Sequence, residues 1–260
     1  MADEAALQEN KRKLRRWLLS SLVIVVVAVG FWLSWQYLLS IPEENPYGPE
    51  DFVSENGYLH CKTPGSMLGI DVSHYQGEID WQKVRDSGVE FAFIRIGLRS
   101  ARDGRLYEDD RVRENLQGAK DAGLKVGAYF FSQAMSEAEA QAEAEFAVTI
   151  LKDFAIDLPV AYDWETVSGE TYKMTPENMT ACIRGFCSVI EKAGYKSMVY
   201  FNKDHANRLL NVEELAGYRI WFAMYDTYPD APCKPDYWQY TNQGSVPGIQ
   251  GNVDINIYLP

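Results

Sequence analysis

From residue 67 onward, short apolar runs alternate with segments of helical period, and this alternation most restricts the folds that the chain can adopt. The segments between the runs carry helix signals, such as the capping box of Ser136 and Glu139 and the Thr175-Pro176 start of a later helix. Strands that alternate with helices are typical of β/α units around a parallel sheet. The predicted strands are 68–72, 91–96, 125–131, 159–164, 197–202 and 219–224.

The end of the chain departs from this pattern. Two further segments, Trp238-Gln-Tyr-Thr and Val253-Asp-Ile-Asn-Ile, resemble strands, but only loops rich in Pro and Gly precede them. They leave no room for crossover helices. About eight strands with acids at their ends favour a shortened α/β fold, an irregular (β/α) TIM-like barrel, in which chemistry takes place at the carboxyl ends of the strands. An ordinary doubly wound sheet stays the alternative.

The first 66 residues differ from the rest of the chain. Residues 17–39 form a run of 23 residues without charge, which is long enough to cross a bilayer as a helix. Basic residues cluster at 11–16, just before this run, and are retained on the cytoplasmic side. We therefore predict a cytoplasmic tail (1–16), a transmembrane signal anchor in contact with the lipid bilayer (17–39) and an exported remainder. A cleaved signal peptide is the alternative, but no small-residue cleavage site follows the run.

Composition restricts the remainder further. Residues 40–66 are rich in Pro and Gly and are predicted to form an irregular extracellular stem, which leaves 67–260 as the single folded domain. The tail has five basic and three acidic residues, so the exported part is more acidic than the whole chain with its net charge of −12. This charge argues against nucleic-acid binding.

The four cysteines lack C-x-x-C spacing and the three histidines are scattered, so we predict no metal, no cofactor and no particular disulfide.

The strongest chemical signal is the segment Leu158–Glu165, where an apolar run ends in two carboxylates one residue apart. Because side chains alternate in a strand, Asp163 and Glu165 share one face with their Cα atoms about 6.8 Å apart. Burying two acids side by side is costly unless they are paired, solvated or used for proton chemistry. Asp71 and Asp254 are embedded in apolar runs in the same way. A lone Asp is about as often a helix cap, but four such acids are harder to explain as caps, and the Asp163–Glu165 pair resembles the acid pair of a glycosidase.

Aromatic residues cluster at the same strand ends, where their rings offer flat apolar faces to sugars. About half of them are expected in the barrel core, and Trp164 must face away from the two acids that flank it. Arg95 is expected to close a buried salt bridge rather than to pair with Asp71 or Glu165. His74 and His205 are expected to be exposed and without a role. The residues predicted to bind substrate are Tyr129, Tyr200, Tyr225, Trp238 and Gln239.

Seven motifs in order make residues 67–260 resemble glycoside hydrolase family 25, the Chalaropsis-type lysozymes. In many members a His stands at the position of Phe130. The motifs are Gly69-Ile-Asp-Val-Ser-His-Tyr-Gln-Gly77 with Ile79-Asp-Trp81, Phe91-Ala-Phe-Ile-Arg-Ile-Gly97, Gly127-Ala-Tyr-Phe-Phe131, Tyr162-Asp-Trp-Glu165, Trp221-Phe-Ala-Met-Tyr225, Trp238-Gln-Tyr-Thr241 and Gly251-Asn-Val-Asp-Ile-Asn256.

The resemblance implies an irregular barrel that hydrolyses the β-1,4 bond between N-acetylmuramic acid and N-acetylglucosamine in peptidoglycan. The family's active-site acids fall on Asp163, Glu165, Asp71 and Asp254, and its sugar-contacting tyrosines on Tyr129 and Tyr200. Glu165 is expected to be the general acid, kept protonated by neighbouring acids, while Asp163 stays ionised. Attack by the substrate's own acetamido group and attack by an activated water both stay open. So do two other functions on the same barrel: a wall-binding module without turnover, and a membrane-tethered partner of a division or secretion assembly.

Overall fold

The computed structural model describes residues 2–39, 41–167 and 174–260, in two compact units that comprise 1–42 and 43–260. Residue 40 of the predicted stem and residues 168–173 of the predicted barrel domain lie outside the described ranges. The first unit contains one helix, α1 (Ala2–Leu39). Its segment Arg15–Trp32 is long and apolar enough to cross a membrane, a property that signal sequences near an N-terminus share.

The second unit is built on a closed barrel. Its strands are β1 (Phe52–Glu55), β2 (Tyr58–Cys61), β3 (Met67–Val72), β4 (Phe91–Arg99), β5 (Leu106–Glu108), β6 (Lys125–Ser132), β7 (Val160–Trp164), β8 (Ser197–Asn202), β9 (Arg219–Ala223), β10 (Tyr237–Gly244) and β11 (Val253–Tyr258). Its helices are α2 (Trp81–Asp86), α3 (Val112–Asp121), α4 (Glu137–Leu151), α5 (Pro176–Lys192) and α6 (Lys203–Arg208).

The strand order confirms the predicted irregular barrel. Strands β3, β4, β6, β7, β8, β9 and β10 are successive parallel neighbours. Strand β11 closes the barrel by pairing antiparallel with both β10 and β3, which an open doubly wound sheet does not allow. Helices α2, α3, α4, α5 and α6 precede strands β4, β6, β7, β8 and β9, in that order. The described residues between β9 and β10, and those between β10 and β11, contain no helix. Ser136 and Thr175 cap α4 and α5 as predicted.

The barrel interior is filled by large side chains that need glycine opposite them. Phe91 and Phe93 point inward from β4, because alternate residues of a strand share a face. A Cβ at Gly69 would lie 2.2 Å from the Phe91 ring, and one at Gly127 would lie 2.4 Å from the Phe93 ring. The rings occupy the first part of the strands, so the next inward residue of β4, Arg95, lies nearer the carboxyl end. The remaining members of the interior cluster are Tyr129, Ala161, Met198, Tyr200, Trp221, Ala223 and Tyr237.

Gly69→Ala is therefore expected to destabilise the barrel without touching its chemistry. The Phe91 ring has little room to move, because it packs against Phe93 and Tyr237 with centroid distances of 5.6 and 5.5 Å. Overpacking of this kind typically costs about 1–3 kcal/mol. Urea denaturation should show a lower midpoint at an unchanged m-value. An unchanged midpoint would mean that the Phe91 ring can shift freely, contrary to its packing between two other rings.

Residues 43–66 correct the prediction of an irregular stem for 40–66, because they belong to the compact unit of the barrel. Strands β1 and β2 form an antiparallel hairpin whose turn residues, Asn56 and Gly57, have φ of 53° and 87°, the positive values that a type I′ turn requires. The Phe52 ring packs against Trp238 of β10 at 5.0 Å between centroids, and the Tyr58 hydroxyl donates to the carbonyl of Ser245 at 3.3 Å. The hairpin thus covers the outer face of β10.

Candidate active site

A cavity of about 250 Å³ opens at the carboxyl end of the barrel strands, where barrel enzymes carry their chemistry. All four predicted acids line it, together with Tyr129, Tyr200, Tyr225 and Gln239. The structure therefore brings together eight of the nine residues predicted for the site. The cavity wall also contains residues to which the sequence assigned no place in the site: Ser73, Tyr75, Gln76, Arg95, Phe131, Trp221 and Asn242.

Trp238 is the exception, and the structure corrects its predicted role in substrate binding. It is fully buried on the outer face of β10, and its Nε1 donates to the carbonyl of Met224 at 2.8 Å. Because successive residues of a strand face opposite sides, Gln239 points into the cavity and Trp238 away from it. Phe130, the departure from the family motif, is also turned away, since it is buried in the outer core against Phe186. That departure does not alter the cavity wall.

Asp71 is held by two amide groups. Gln239 Nε2 donates to Asp71 Oδ2 at 2.9 Å, and Asn256 Nδ2 donates to the same oxygen at 2.8 Å. Burial raises the pKa of Asp71, and these two hydrogen bonds oppose the increase because they stabilise the carboxylate. The two amide groups thus stabilise a negative charge on Asp71 although its carboxyl group is buried.

The two amide groups are themselves oriented by neighbours. Gln239 Oε1 accepts a hydrogen bond from the Tyr225 hydroxyl at 3.2 Å and lies 3.3 Å from that of Tyr200. Asn256 Oδ1 accepts from Trp221 Nε1 at 2.8 Å. Since the oxygens face these donors, both NH₂ groups must face Asp71. Neither Asn256 nor Trp221 was predicted as a site residue, although both lie in motifs that resemble the family.

Asp254 faces Asp71 across two antiparallel strands, because the two residues are Cα partners of β11 and β3. Burial first, and then the negative charge of Asp71, raises the pKa of Asp254 to about 9. A protonated Asp254 can donate a hydrogen bond to the Asp71 carboxylate. Sharing of one proton in this way is expected of two carboxyl groups that lie too close for both to ionise.

Asp163 and Glu165 extend from the end of β7 into the same cavity. Trp164 lies between them in sequence but packs on the outside of the barrel, which confirms the prediction. Its Nε1 donates to the carbonyl of Ala134 at 3.1 Å, and its ring lies 5.7 Å from that of His205. His205 is therefore buried beneath β7, not exposed as predicted.

Burial has the largest effect on the protonation of both acids. It raises the pKa of Glu165, to which the charge of Asp71 adds, while a hydrogen bond from Tyr200 opposes the shift. This direction agrees with the expectation that Glu165 is protonated, although burial outweighs the neighbouring acids as the cause of the shift. Burial also raises the pKa of Asp163 well above its usual range, and the charges of Glu165 and Asp71 reinforce it. This direction runs against the expectation that Asp163 stays ionised.

Arg95 forms the buried salt bridge that the sequence predicts. Its Nε and one terminal nitrogen lie 2.9 and 2.8 Å from Asp109 Oδ2. The same terminal nitrogen lies 2.6 Å from His74 Nδ1, which is 3.1 Å from Asp109 Oδ2. His74 is thus part of a network and not a residue without contacts. In the described ranges, no group of His, Cys, Asp or Glu side chains is arranged to hold a metal ion.

Paired carboxyl groups and aromatic side chains at the carboxyl ends of the strands of an irregular barrel are the arrangement expected of a glycoside hydrolase. The family model for glycosyl hydrolases family 25 matches residues 70–249. This chain belongs to that family.

Known relatives agree with this assignment. The autolytic lysozyme of Clostridium acetobutylicum is 31% identical over 195 residues, which cover 73% of this chain but only 55% of that lysozyme. Lysozyme M1 of Streptomyces globisporus is 30% identical over 234 residues, or 83% of this chain and 71% of the relative. The crystal structure of a lysozyme from Streptomyces coelicolor superposes with a TM-score of 0.62 at 26% identity, covering 75% of this chain and 93% of that one.

Proposed function

We propose that the protein is a muramidase that hydrolyses the β-1,4 bond between N-acetylmuramic acid and N-acetylglucosamine in peptidoglycan. The observation that carries the proposal is the convergence of Glu165, Asp163, Asp71 and Asp254 on one cavity of a family 25 barrel. Two relatives named lysozymes support the same substrate class. Peptidoglycan glycan strands are then the partner of this cavity.

Glu165 acts as the general acid in this proposal. Its raised pKa keeps the proton on the carboxyl group until the glycosidic bond breaks, when the proton passes to the leaving oxygen. Positive charge then develops at the anomeric carbon, and the carboxylate that remains on Glu165 can later take a proton from an incoming water. The acid and base steps therefore use the same side chain in turn.

Asp163 stabilises the group that attacks the anomeric carbon in this proposal. We propose that the 2-acetamido group of the substrate attacks the anomeric carbon and that ionised Asp163 accepts a hydrogen bond from its N–H. Asp163 Oδ1 is buried and has no hydrogen-bond partner among the described residues, so it is available to such a donor. Asp71, by contrast, already accepts two hydrogen bonds. This route retains the anomeric configuration, whereas an inverted product would assign the attack to water activated by a carboxylate.

Tyrosine rings at the rim fit a sugar substrate. Tyr75 and Tyr225 both line the cavity, and 75% and 54% of their surfaces are exposed, which is unusual for large aromatic residues. Exposed rings offer apolar faces to sugars, while Tyr129, Tyr200 and Gln239 offer polar groups deeper in the cavity. The wall thus combines stacking surfaces with hydrogen-bonding groups.

We further propose that residues 17–39 anchor the protein in the cytoplasmic membrane, with the tail inside and the barrel unit outside. The length and apolar composition of α1 and the basic residues at 11–16 support this orientation. A reporter that is active only outside the membrane, fused after Pro260, should be active. A reporter active only in the cytoplasm, placed at the same point, should be silent.

Mass spectrometry of the fragments released from purified peptidoglycan tests the activity. We expect soluble fragments that end in reducing N-acetylmuramic acid, with NMR showing the retained β-anomer as the first product. Fragments that end in reducing N-acetylglucosamine would contradict the bond assigned here. Binding to peptidoglycan without any release of fragments would instead favour a wall-binding or assembly role on the same barrel.

A further inference from the structure

The proposed mechanism requires Asp163 to be negative in a cavity that disfavours the charge. Its surroundings include three other carboxyl groups, and Asp163 itself is only 5% exposed. Burial and the charges of Glu165, Asp71 and Asp254 raise its pKa. An ionised Asp163 therefore needs a positive charge close by.

Arg95 carries a positive charge and lines the same cavity as Asp163. Among the described residues that line the cavity, it is the one Lys or Arg, and only 6% of its surface is exposed. It follows Phe91 and Phe93 on the inward face of β4, and its Cα partner on β6 is Tyr129. Only β6 separates β4 from β7, the strand that carries Asp163. The charge of Arg95 lowers the pKa of Asp163, opposing the effect of burial.

Neighbouring side chains fix the position of the Arg95 guanidinium group. Asp109, whose side chain is fully buried, and His74 contact the guanidinium group, and the Tyr75 ring lies 5.2 Å from its central carbon. Asp109 does not line the four-acid cavity but a second one, which His74 also lines. The Arg95–Asp109 pair is thus a fixed dipole with its cation on the cavity side. A pre-oriented charge of this kind acts without reorganisation during the reaction.

We propose that Arg95, held by Asp109 and His74, is a positioning residue that favours the ionised form of Asp163 during catalysis. This inference rests on the proposed function, because it concerns the same reaction. Arg95 does not need to touch the substrate; it acts through Asp163. Among the described residues, the charged and titratable groups that contact Arg95, interact with its charge or line the cavity with it are Asp109, His74, Tyr75, Tyr129, Asp163, Asp71, Glu165, Tyr200, Tyr225 and Asp254.

The pH profile of kcat tests the proposal with Arg95→Met and Arg95→Lys in the full chain. Because Asp163 must be ionised, its pKa sets the acidic limb of the profile. Loss of the positive charge in Arg95→Met should move this limb to higher pH by roughly one unit or more, with a smaller change in KM. Arg95→Lys keeps the charge and should leave the limb near its wild-type position.

Arg99→Met is the matched control. Arg99 also lies on β4 and forms a buried ion pair, with its Nε 2.6 Å from Glu143 Oε1, but it does not line the four-acid cavity. Its loss should lower stability without moving the acidic limb. A folded Arg95→Met variant whose limb coincides with that of the wild type would overturn the proposal, since it would reduce Arg95 to a structural ion pair like Arg99.

Asp109→Asn gives an independent result if Arg95→Met does not fold. Removing the anion behind Arg95 leaves more of its positive charge unbalanced, so the limb should move to lower pH, opposite to the effect of Arg95→Met. An acidic limb that stays in place or moves to higher pH would contradict the proposal.

Titration of the Asp163 carboxyl carbon by NMR, assigned with Asp163→Asn, reports the same pKa without any substrate. A shifted titration in an inactive enzyme would thus uphold the role of Arg95 while the muramidase function failed.

Discussion

Glu165→Gln is expected to remove nearly all cleavage of peptidoglycan while the protein stays folded. The amide has almost the shape of the carboxyl group but cannot release a proton to the leaving oxygen. General acid catalysis typically contributes about 10²- to 10⁴-fold, so kcat should fall by about 10³-fold with little change in KM. The appearance of reducing ends at a fixed peptidoglycan concentration measures the effect. In the wild type, the raised pKa of Glu165 should extend activity to pH values above the ordinary Glu range.

Glu90→Gln provides the control for this variant. Glu90 is exposed and precedes β4 at the amino end of the barrel, opposite to the cavity. The same chemical change there should leave kcat and KM unaltered, so a loss confined to Glu165→Gln reports the acid itself. Residual activity above about a tenth of the wild-type value would assign proton donation to another group, because such a small loss falls below the usual contribution of a general acid.

The barrel could be predicted because its signals are local. The eight predicted strand segments lie at the eight barrel strands, since a run of apolar residues between helix signals needs no knowledge of its partners. The hairpin at 52–61 also had a local signal, Asn56-Gly57 between two apolar segments, which the Pro and Gly content around it obscured. Its docking on Trp238 could not be predicted, because that contact joins distant parts of the chain.

The candidate site was predictable to the extent that strand alternation governs it. Alternation places Asp163 and Glu165 on one face and Trp164 on the other, as the structure shows. The same rule allows only one of Trp238 and Gln239 to face inward, yet sequence does not reveal which face is covered from outside. The partner of Arg95 depends on how the loop at Asp109 folds back on the barrel, so it required the tertiary structure.

Asp163→Asn is expected to lower kcat by about 10²- to 10³-fold, the usual loss when one preorganised electrostatic group is removed from an active site. The variant can accept a hydrogen bond but cannot supply the negative charge that opposes the charge at the anomeric carbon. Whereas kcat should fall, the stability of the folded protein at neutral pH should increase. The folded-state pKa of Asp163 is raised, so its contribution to stability is fully present below the unfolded pKa and is lost as pH rises through the folded pKa.

Thermal unfolding across pH separates the two effects. The amide introduced by Asp163→Asn carries no charge to bury, so the variant should lose less stability than the wild type as pH rises above the ordinary Asp range, and it should not unfold at a lower temperature at neutral pH. Asp121→Asn, at the exposed end of α3, should change neither activity nor this pH dependence. An Asp163→Asn variant that keeps the wild-type kcat would remove Asp163 from the mechanism. So would a variant that is inactive only because it is unfolded at the assay temperature. Retained stability with lost turnover would show that the fold tolerates a buried charge at Asp163 for catalysis.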